Sequence, residues 1–111
     1  MDESLYPMPT KETAELRRDL APEAEAAFRK FSQGVFKDGA LSRKTKQLIA
    51  VAVAHVTQCP YCIQGHTKAA SREGASREEI MEAIWVPAEM RAGGAFAHST
   101  IALHTLEGSG S

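Results

Sequence analysis

Cys59-Pro60-Tyr61-Cys62-Ile63-Gln64-Gly65-His66 holds both cysteines of the chain, with a histidine four residues after the second. Thiols separated by two residues can close a disulfide or share a metal ion. If Cys62 lies on a helix, His66 lies one turn further along the same face. Thiol and imidazole are then within reach of each other, the arrangement that turns a thiol into a thiolate nucleophile. The residue types and their spacing indicate a redox-active dithiol. Pro60 suits the first turn of a helix, whose unpaired N–H groups and positive dipole end favour a thiolate at Cys59 or Cys62. Upstream, Gln47, Val51, His55 and Cys59 recur every four residues. If the helix carrying Gln47 and His55 packs on the one that begins at the dithiol, both side chains can face it.

Two plainer readings compete. His55, Cys59, Cys62 and His66 supply zinc-type ligands at short spacing, although short zinc modules usually draw ligand pairs from two separate segments and here all come from one. Free cysteines can also be inert small core residues. His98 and His104 read as packing or interface residues, and Trp85 and the phenylalanines as core.

The elements that must position the dithiol read as helices throughout. Residues 1–9 form an N-terminal arm with two prolines. Thr10 can cap a short helix that ends before Pro22, and Pro22 opens the next. That second helix carries Ala24, Ala27, Phe28, Phe31 and Val35 at helical spacing, and Lys37-Asp38-Gly39 closes it with a turn. Ser42 caps a third helix, apolar on nearly every side from Leu48 to Ala54, which marks a central helix. Its β-branched residues leave a strand open, but its length and alanines favour helix. The fourth runs from Pro60 to about Glu73, with Gly74 as its stop. Ser76-Arg77-Glu78-Glu79 is a capping box for a fifth helix, which Pro87 should kink and Gly93-Gly94 should end. A sixth covers about Ala95 to Leu106. The expectation is an all-α, compact bundle of about six helices in a single domain, residues 10–106, with 107–111 as a flexible tail.

Composition narrows the function. The chain has 111 residues, enough for one domain, and 43% are hydrophobic, so a core can form. A chain of this length buries only roughly two thirds of its unfolded surface, so association between subunits would help it. A net charge of -1 argues against an electrostatic nucleic-acid binder. The longest apolar run, Leu48 to Val56, is interrupted by His55 and is too short to span a bilayer. The acidic start, Met1-Asp2-Glu3-Ser4, lacks the features of a secretory signal. A cytoplasmic location follows as the expectation, and in that reducing compartment a cycling dithiol is favoured over a static disulfide.

Leu41 to Ala54, then Gln58-Cys59-Pro60-Tyr61-Cys62-Ile63-Gln64-Gly65-His66 with Thr67-Lys68-Ala69-Ala70, then Gly74 to Ile80, resemble the core of the alkylhydroperoxidase (AhpD-like) and carboxymuconolactone decarboxylase family. The resemblance covers about residues 20–106. It implies an all-α fold assembled as a homo-oligomer, a trimer or a hexamer. Dithiol members reduce hydroperoxides through a disulfide cycle, use an external dithiol reductant and need no cofactor or metal. The decarboxylase branch generally lacks the dithiol. A lactone decarboxylase on the same fold and a non-enzymatic zinc or oligomeric scaffold are the rival functions. By the match, Cys62 attacks the peroxide, Cys59 resolves the sulfenic acid and His66 belongs to the proton relay. The dithiol members usually carry a glutamate twelve residues before the first cysteine, where this chain has Gln47. An amide positions a partner by hydrogen bonds but cannot relay a proton as a carboxylate does, so His55 is the candidate to take over that step.

Overall fold

The computed structural model describes residues 5–108. Thr10 accepts the N–H of Thr13 and starts α1, Lys11–Leu20. Pro22 stands in the first turn of α2, Pro22–Phe36, where its missing N–H costs nothing. Ser42 accepts from Thr45 N–H to open α3, Arg43–Thr57. Helix α4 spans Pro60–Arg72 and α5 spans Arg77–Gly108. Among the described residues the regular structure is all helical.

The sequence patterning gives about six helices and the structure has five, because the expected fifth and sixth are one. Helix α5 is 32 residues long and passes through Pro87 and Gly93-Gly94 without a break. Proline deprives the Ala83 carbonyl of its helical donor, and each glycine costs about 1 kcal/mol against alanine. These are local penalties. Pro87 is buried and shares a groove with Ala52 and Val56 of α3, and such packing outweighs them. Helix α5 also runs past Leu106 to Gly108, and residues 109–111 lie outside those described.

Helix α3 is the centre, with α4 and α5 packed on it. Val51 and Ala70 are fully buried and Ala75 nearly so, with Leu48, Ile80 and Ile84 packed around them. Ala54 is buried as well. These small side chains let α3 and α4 approach closely. The capping box is formed: Glu79 N–H donates to Ser76 Oγ at 3.0 Å, and Ser76 N–H to Glu79 Oε1 at 2.8 Å. Lys44 reaches Glu79 at 2.8 Å and ties the start of α3 to α5. Between α2 and α3, Lys46 donates to the carbonyls of Val35 and Lys37, both at 2.8 Å, and so satisfies the C-terminal end of α2. Asp38 accepts the N–H of Arg43 at 2.8 Å at the start of α3.

The single chain is elongated. Its radius of gyration is 19.3 Å and it measures 60 × 33 × 31 Å, whereas a compact chain of this length has a radius of about 13 Å. The second half of α5 accounts for much of its bare apolar surface: Phe96 is 82% and Leu106 68% exposed.

The link from α3 to α4 turns on a residue in the left-handed conformation. Gln58 caps α3 in the left-handed conformation, φ 57° and ψ 45°, and its N–H and that of Cys59 both return to the Ala54 carbonyl. Placing a β-branched side chain there is strained. Gln58→Val should lower stability by about 1–2 kcal/mol, whereas Gln58→Asn should leave it nearly unchanged. Urea denaturation of the two variants beside the parent checks this.

Candidate active site

The left-handed turn at Gln58 brings Cys59 to the N-cap of α4, with φ -97° and ψ 106°. Its Sγ takes the place a serine or aspartate oxygen usually fills, accepting the N–H of Cys62 at 3.3 Å. Both cysteines are reduced and half-buried. Cys62 lies in the first turn of α4, and His66 follows one turn later.

The two sulfurs are electrically unequal. The Cys62 thiol donates to Cys59, and the N–H groups of Cys62 and Tyr61 add to it, so Cys59 ionises below the ordinary thiol range despite some burial. Cys62 is pushed above that range because its proton serves Cys59, burial disfavours its charge, and the charge on Cys59 repels a second one. The pair carries one readily formed negative charge, centred on Cys59 and shared through a proton.

His66 is fixed from two sides. Its Nδ1 lies 2.8 Å from Gln47 Oε1 on α3. A carbonyl oxygen only accepts, so Nδ1 is the donor, and in the neutral ring Nε2 is the nitrogen with the free lone pair. The Phe36 ring, at the end of α2, stacks on the imidazole with centroids 5.2 Å apart and planes 29° apart. Gln47 and His66 were singled out by spacing, and the fold brings them together. His55 goes elsewhere: its Nδ1 donates to the Val51 carbonyl at 2.8 Å within its own helix, and it lines neither cleft at the dithiol. Among the described residues no three His, Cys, Asp or Glu side chains converge to hold a metal ion, so the four zinc-type ligands do not form a cage.

Two clefts of opposite character meet at Cys62, His66 and Phe36. One, of about 400 Å³, is walled by Val35, Ile49, Ala50 and Val53 and is almost wholly apolar. The other, of about 710 Å³, is lined by Ser32, Gln33, Lys37, Arg43, Gln47 and Tyr61. Cys59 lines neither, so Cys62 is the sulfur that a molecule in either cleft meets. Phe36, the divider, was missed from sequence. Its only signal was an aromatic residue closing α2 ahead of the Lys37-Asp38-Gly39 turn, and nothing local says that this ring reaches His66. The N-terminal arm also comes to the site: Tyr61 donates to the Pro7 carbonyl at 2.9 Å, and its ring meets Tyr6 edge-on at 6.1 Å.

Comparison with known proteins adds kinship. The sequence model of the carboxymuconolactone decarboxylase family matches residues 22–105. A protein of Paracoccus denitrificans, named uncharacterized protein 4 in the cox locus, is 68% identical over 81 residues, 73% of each chain. A protein of Cupriavidus necator is 35% identical over 82 residues, 74% of this chain and 73% of that one. Among solved structures, the apo form of a carboxymuconolactone decarboxylase family protein from Legionella pneumophila superposes with a TM-score of 0.67 at 37% identity, covering 86% of this chain and 87% of that one. A protein from Methanobacterium thermoautotrophicum gives a TM-score of 0.70 at 31% identity over 76% of this chain and 94% of its own.

The inequality of the sulfurs is measurable. As pH rises from mildly acidic values, iodoacetamide should label Cys59 first and Cys62 only at higher pH. In Cys62→Ala the main donor to Cys59 is gone, so its labelling profile should move to higher pH. Peptide mass spectrometry after timed quenching reads both, and simultaneous labelling would contradict the assignment.

Proposed function

The chain belongs to the carboxymuconolactone decarboxylase family, and on that premise we propose that it is an AhpD-like, thiol-dependent peroxidase that reduces hydroperoxides through a Cys59–Cys62 dithiol–disulfide cycle. The observation that carries this reading is the meeting of Cys62 with two clefts beside His66, while Cys59, at the N-cap of α4, is the sulfur more easily ionised. The cycle begins when Cys62 passes its proton to Cys59, a transfer along a hydrogen bond already made. The Cys62 thiolate attacks the outer oxygen of a hydroperoxide whose hydrocarbon part lies in the apolar cleft. The O–O bond breaks, Cys62 becomes a sulfenic acid, and the alkoxide takes a proton and leaves as an alcohol. Cys59 then attacks Cys62, expelling water and closing the disulfide. An external dithiol restores the reduced pair. His66, held by Gln47 and Phe36, moves protons at Nε2. No cofactor or metal takes part. A cytoplasmic location suits a site that must be re-reduced, and no helix among the described residues is long and apolar enough to cross a membrane.

The proposal has a direct test. Mild peroxide should remove two hydrogens from the protein mass, and dithiothreitol should restore them. Dimedone should trap sulfenic acid at Cys62 in Cys59→Ser and nothing in Cys62→Ser. Thiols that remain fully alkylatable after peroxide would defeat the proposal, and trapping at Cys59 alone would reverse the roles.

Gln47 limits the relay. A neutral amide that accepts from Nδ1 orients the imidazole but adds no charge to stabilise its protonated form. Gln47→Glu puts a carboxylate at the same place, so His66 should become a stronger base and peroxide turnover should rise by about tenfold, less than the roughly hundredfold or more of a newly placed acid–base group because the imidazole is already oriented. A modest stability loss should accompany the half-buried charge. An unchanged rate in an assay limited by the peroxide step would show that water already carries the proton.

A homo-oligomer, trimer or hexamer, forms part of the proposal. From Ala92 to Leu106 the chain has no charged residue, and Phe96, Ile101 and Leu103 on that stretch are 82%, 63% and 59% exposed. Contiguous apolar surface of this kind is covered by another chain in stable proteins. Light scattering should give a multiple of 12.0 kDa, and Ile101→Glu should lower that mass or unfold the chain. A monomer at micromolar concentration would exclude the assembly.

A further inference from the structure

Helix α2 brings Phe36 to His66, yet nothing within α2 accounts for where that ring sits. None of its residues is buried, and it makes no ion pair with α3 or α4 among the described residues. The hydrogen bonds that tie its last turn to α3, among those residues, come from one side chain. The Lys46 ammonium donates to the carbonyls of Val35 and Lys37, each at 2.8 Å. These carbonyls flank Phe36 in the chain, so one cation fixes the backbone before and after the residue that carries the ring. Its charge also lies at the C-terminal, negative end of α2. The next residue on α3, Gln47, holds the same imidazole directly, 2.8 Å from Nδ1. Successive residues of a helix point about 100° apart, so Lys46 reaches to α2 and Gln47 to α4. The two constraints differ in kind. A hydrogen bond at Nδ1 fixes one atom of the imidazole and leaves its tilt open. A ring stacked at 5.2 Å and 29° fixes the plane. Both together aim Nε2.

We propose that Lys46 is a positioning residue for His66: it acts through Phe36, whose ring it holds against the imidazole, and so sets the direction of Nε2. Lys46 lines the smaller cleft, but its ammonium is engaged by the two carbonyls, so its part is to place the ring and not to meet a substrate. Without those donors the carbonyls can turn to water, because Val35 and Lys37 are exposed. The end of α2 can then shift without uncovering the core, which is built by α3, α4 and α5. The chain therefore keeps its fold when Lys46 is replaced, and the Phe36 ring leaves the imidazole. The placement of His66 stands on this geometry alone. Its consequence for turnover rests on the peroxidase reading, in which Nε2 moves protons.

The first test is spectroscopic and uses no peroxide. A stacked aromatic ring shields the carbon-bound protons of an imidazole, so the His66 proton resonances of the reduced full chain should stand upfield of their unstacked positions. Spectra are recorded at a pH where every imidazole is neutral, and the His66 signals are assigned by their absence from His66→Asn. Phe36→Leu should move them downfield, which gives the size of the ring's effect. Lys46→Met, which keeps an apolar chain of similar length and loses the donors, should move them most of the way to the Phe36→Leu positions while thermal unfolding stays cooperative. Adding Lys46→Met to Phe36→Leu should move them no further. The second test follows disulfide formation with an alkyl hydroperoxide. Lys46→Met should slow it about fivefold, the order of one lost aromatic contact. Phe36→Leu should slow it as much, and the double variant no more than either, because the two residues act along one path. Signals that stay in place in Lys46→Met or in Phe36→Leu overturn the proposal. So do losses that multiply in the double variant, the mark of two independent roles. A Lys46→Met chain without a cooperative transition overturns it as well, since Lys46 would then hold the fold rather than the ring. Peroxide that fails to oxidise the dithiol of the parent sinks the peroxidase reading instead, and the spectra alone then decide this one.

Discussion

The hydrogen bond between His66 and Gln47 crosses from α4 to α3, and the site depends on the close approach that permits it. At 2.8 Å it leaves no tolerance for a larger spacing between the helices. The spacing is set by Val51, Ala54 and Ala70, buried side chains of which two are alanines. An added methylene at either alanine would push the helices apart or force strained rotamers, at a cost of about 1–3 kcal/mol. The same approach lets a two-residue link, Gln58 and Cys59, join the helices, and that link puts a sulfur at a helix N-terminus. Packing, turn and thiol chemistry are therefore one constraint seen at three levels.

The inequality between the cysteines resolves an apparent conflict. The sulfur more easily ionised, Cys59, is not the one that faces the clefts. In a one-cysteine mechanism the two properties would have to coincide. In a dithiol cycle they divide. A sulfur at the N-cap, with N–H groups on it, is poorly placed to meet a bulky substrate but well placed to leave as a thiolate when the disulfide opens. A thiol that lends its proton to that neighbour is a weak nucleophile at rest and becomes a strong one once the proton has crossed. The raised pKa of Cys62 favours its protonated form between encounters, and protonated thiols resist stray oxidation.

How much of this was legible in the sequence follows the range of the interactions. Caps and turns are local, so Thr10, Ser42 and the Ser76–Glu79 box were readable and the helix starts fall where they indicate. The dithiol at the start of α4 needed only Pro60. The Gln47–His66 pairing crosses helices, yet the fourfold recurrence through Val51 to Cys59 made Gln47 a candidate. The same recurrence pointed to His55, which bonds to its own helix instead, because a repeat of four residues drifts around a helix of 3.6 residues per turn and cannot say which member faces a neighbour. Phe36 was invisible, since its partner is thirty residues away. The union of two helices into α5 was hidden for another reason: Pro87 and Gly93-Gly94 are local arguments for an end, and the packing of Pro87 on α3 that overrides them is tertiary.

The long α5 bears on the site although half of it lies away from the core. Fixing the backbone of a residue costs about 1–2 kcal/mol in conformational entropy, and an isolated helix of even 12–15 residues is marginal in water. From Ala95 onward every described residue of α5 is exposed in the single chain, so its own contacts do not repay that ordering. The first half of the helix is held by α3, through Pro87 and Ile84, and a continuous helix transmits that order outward without transmitting burial. The proposed assembly supplies the missing term: a second chain covering Phe96, Ile101 and Leu106 removes apolar area from water at about 25 cal/mol per Å². Because α3 carries both Gln47 and the residues that anchor α5, whatever fixes α5 also stiffens the helix that orients His66. The proposed assembly and the proposed chemistry would then be coupled through α3, and a variant that loosens the far end of α5 should be judged by the state of the Gln47–His66 bond as well as by its mass.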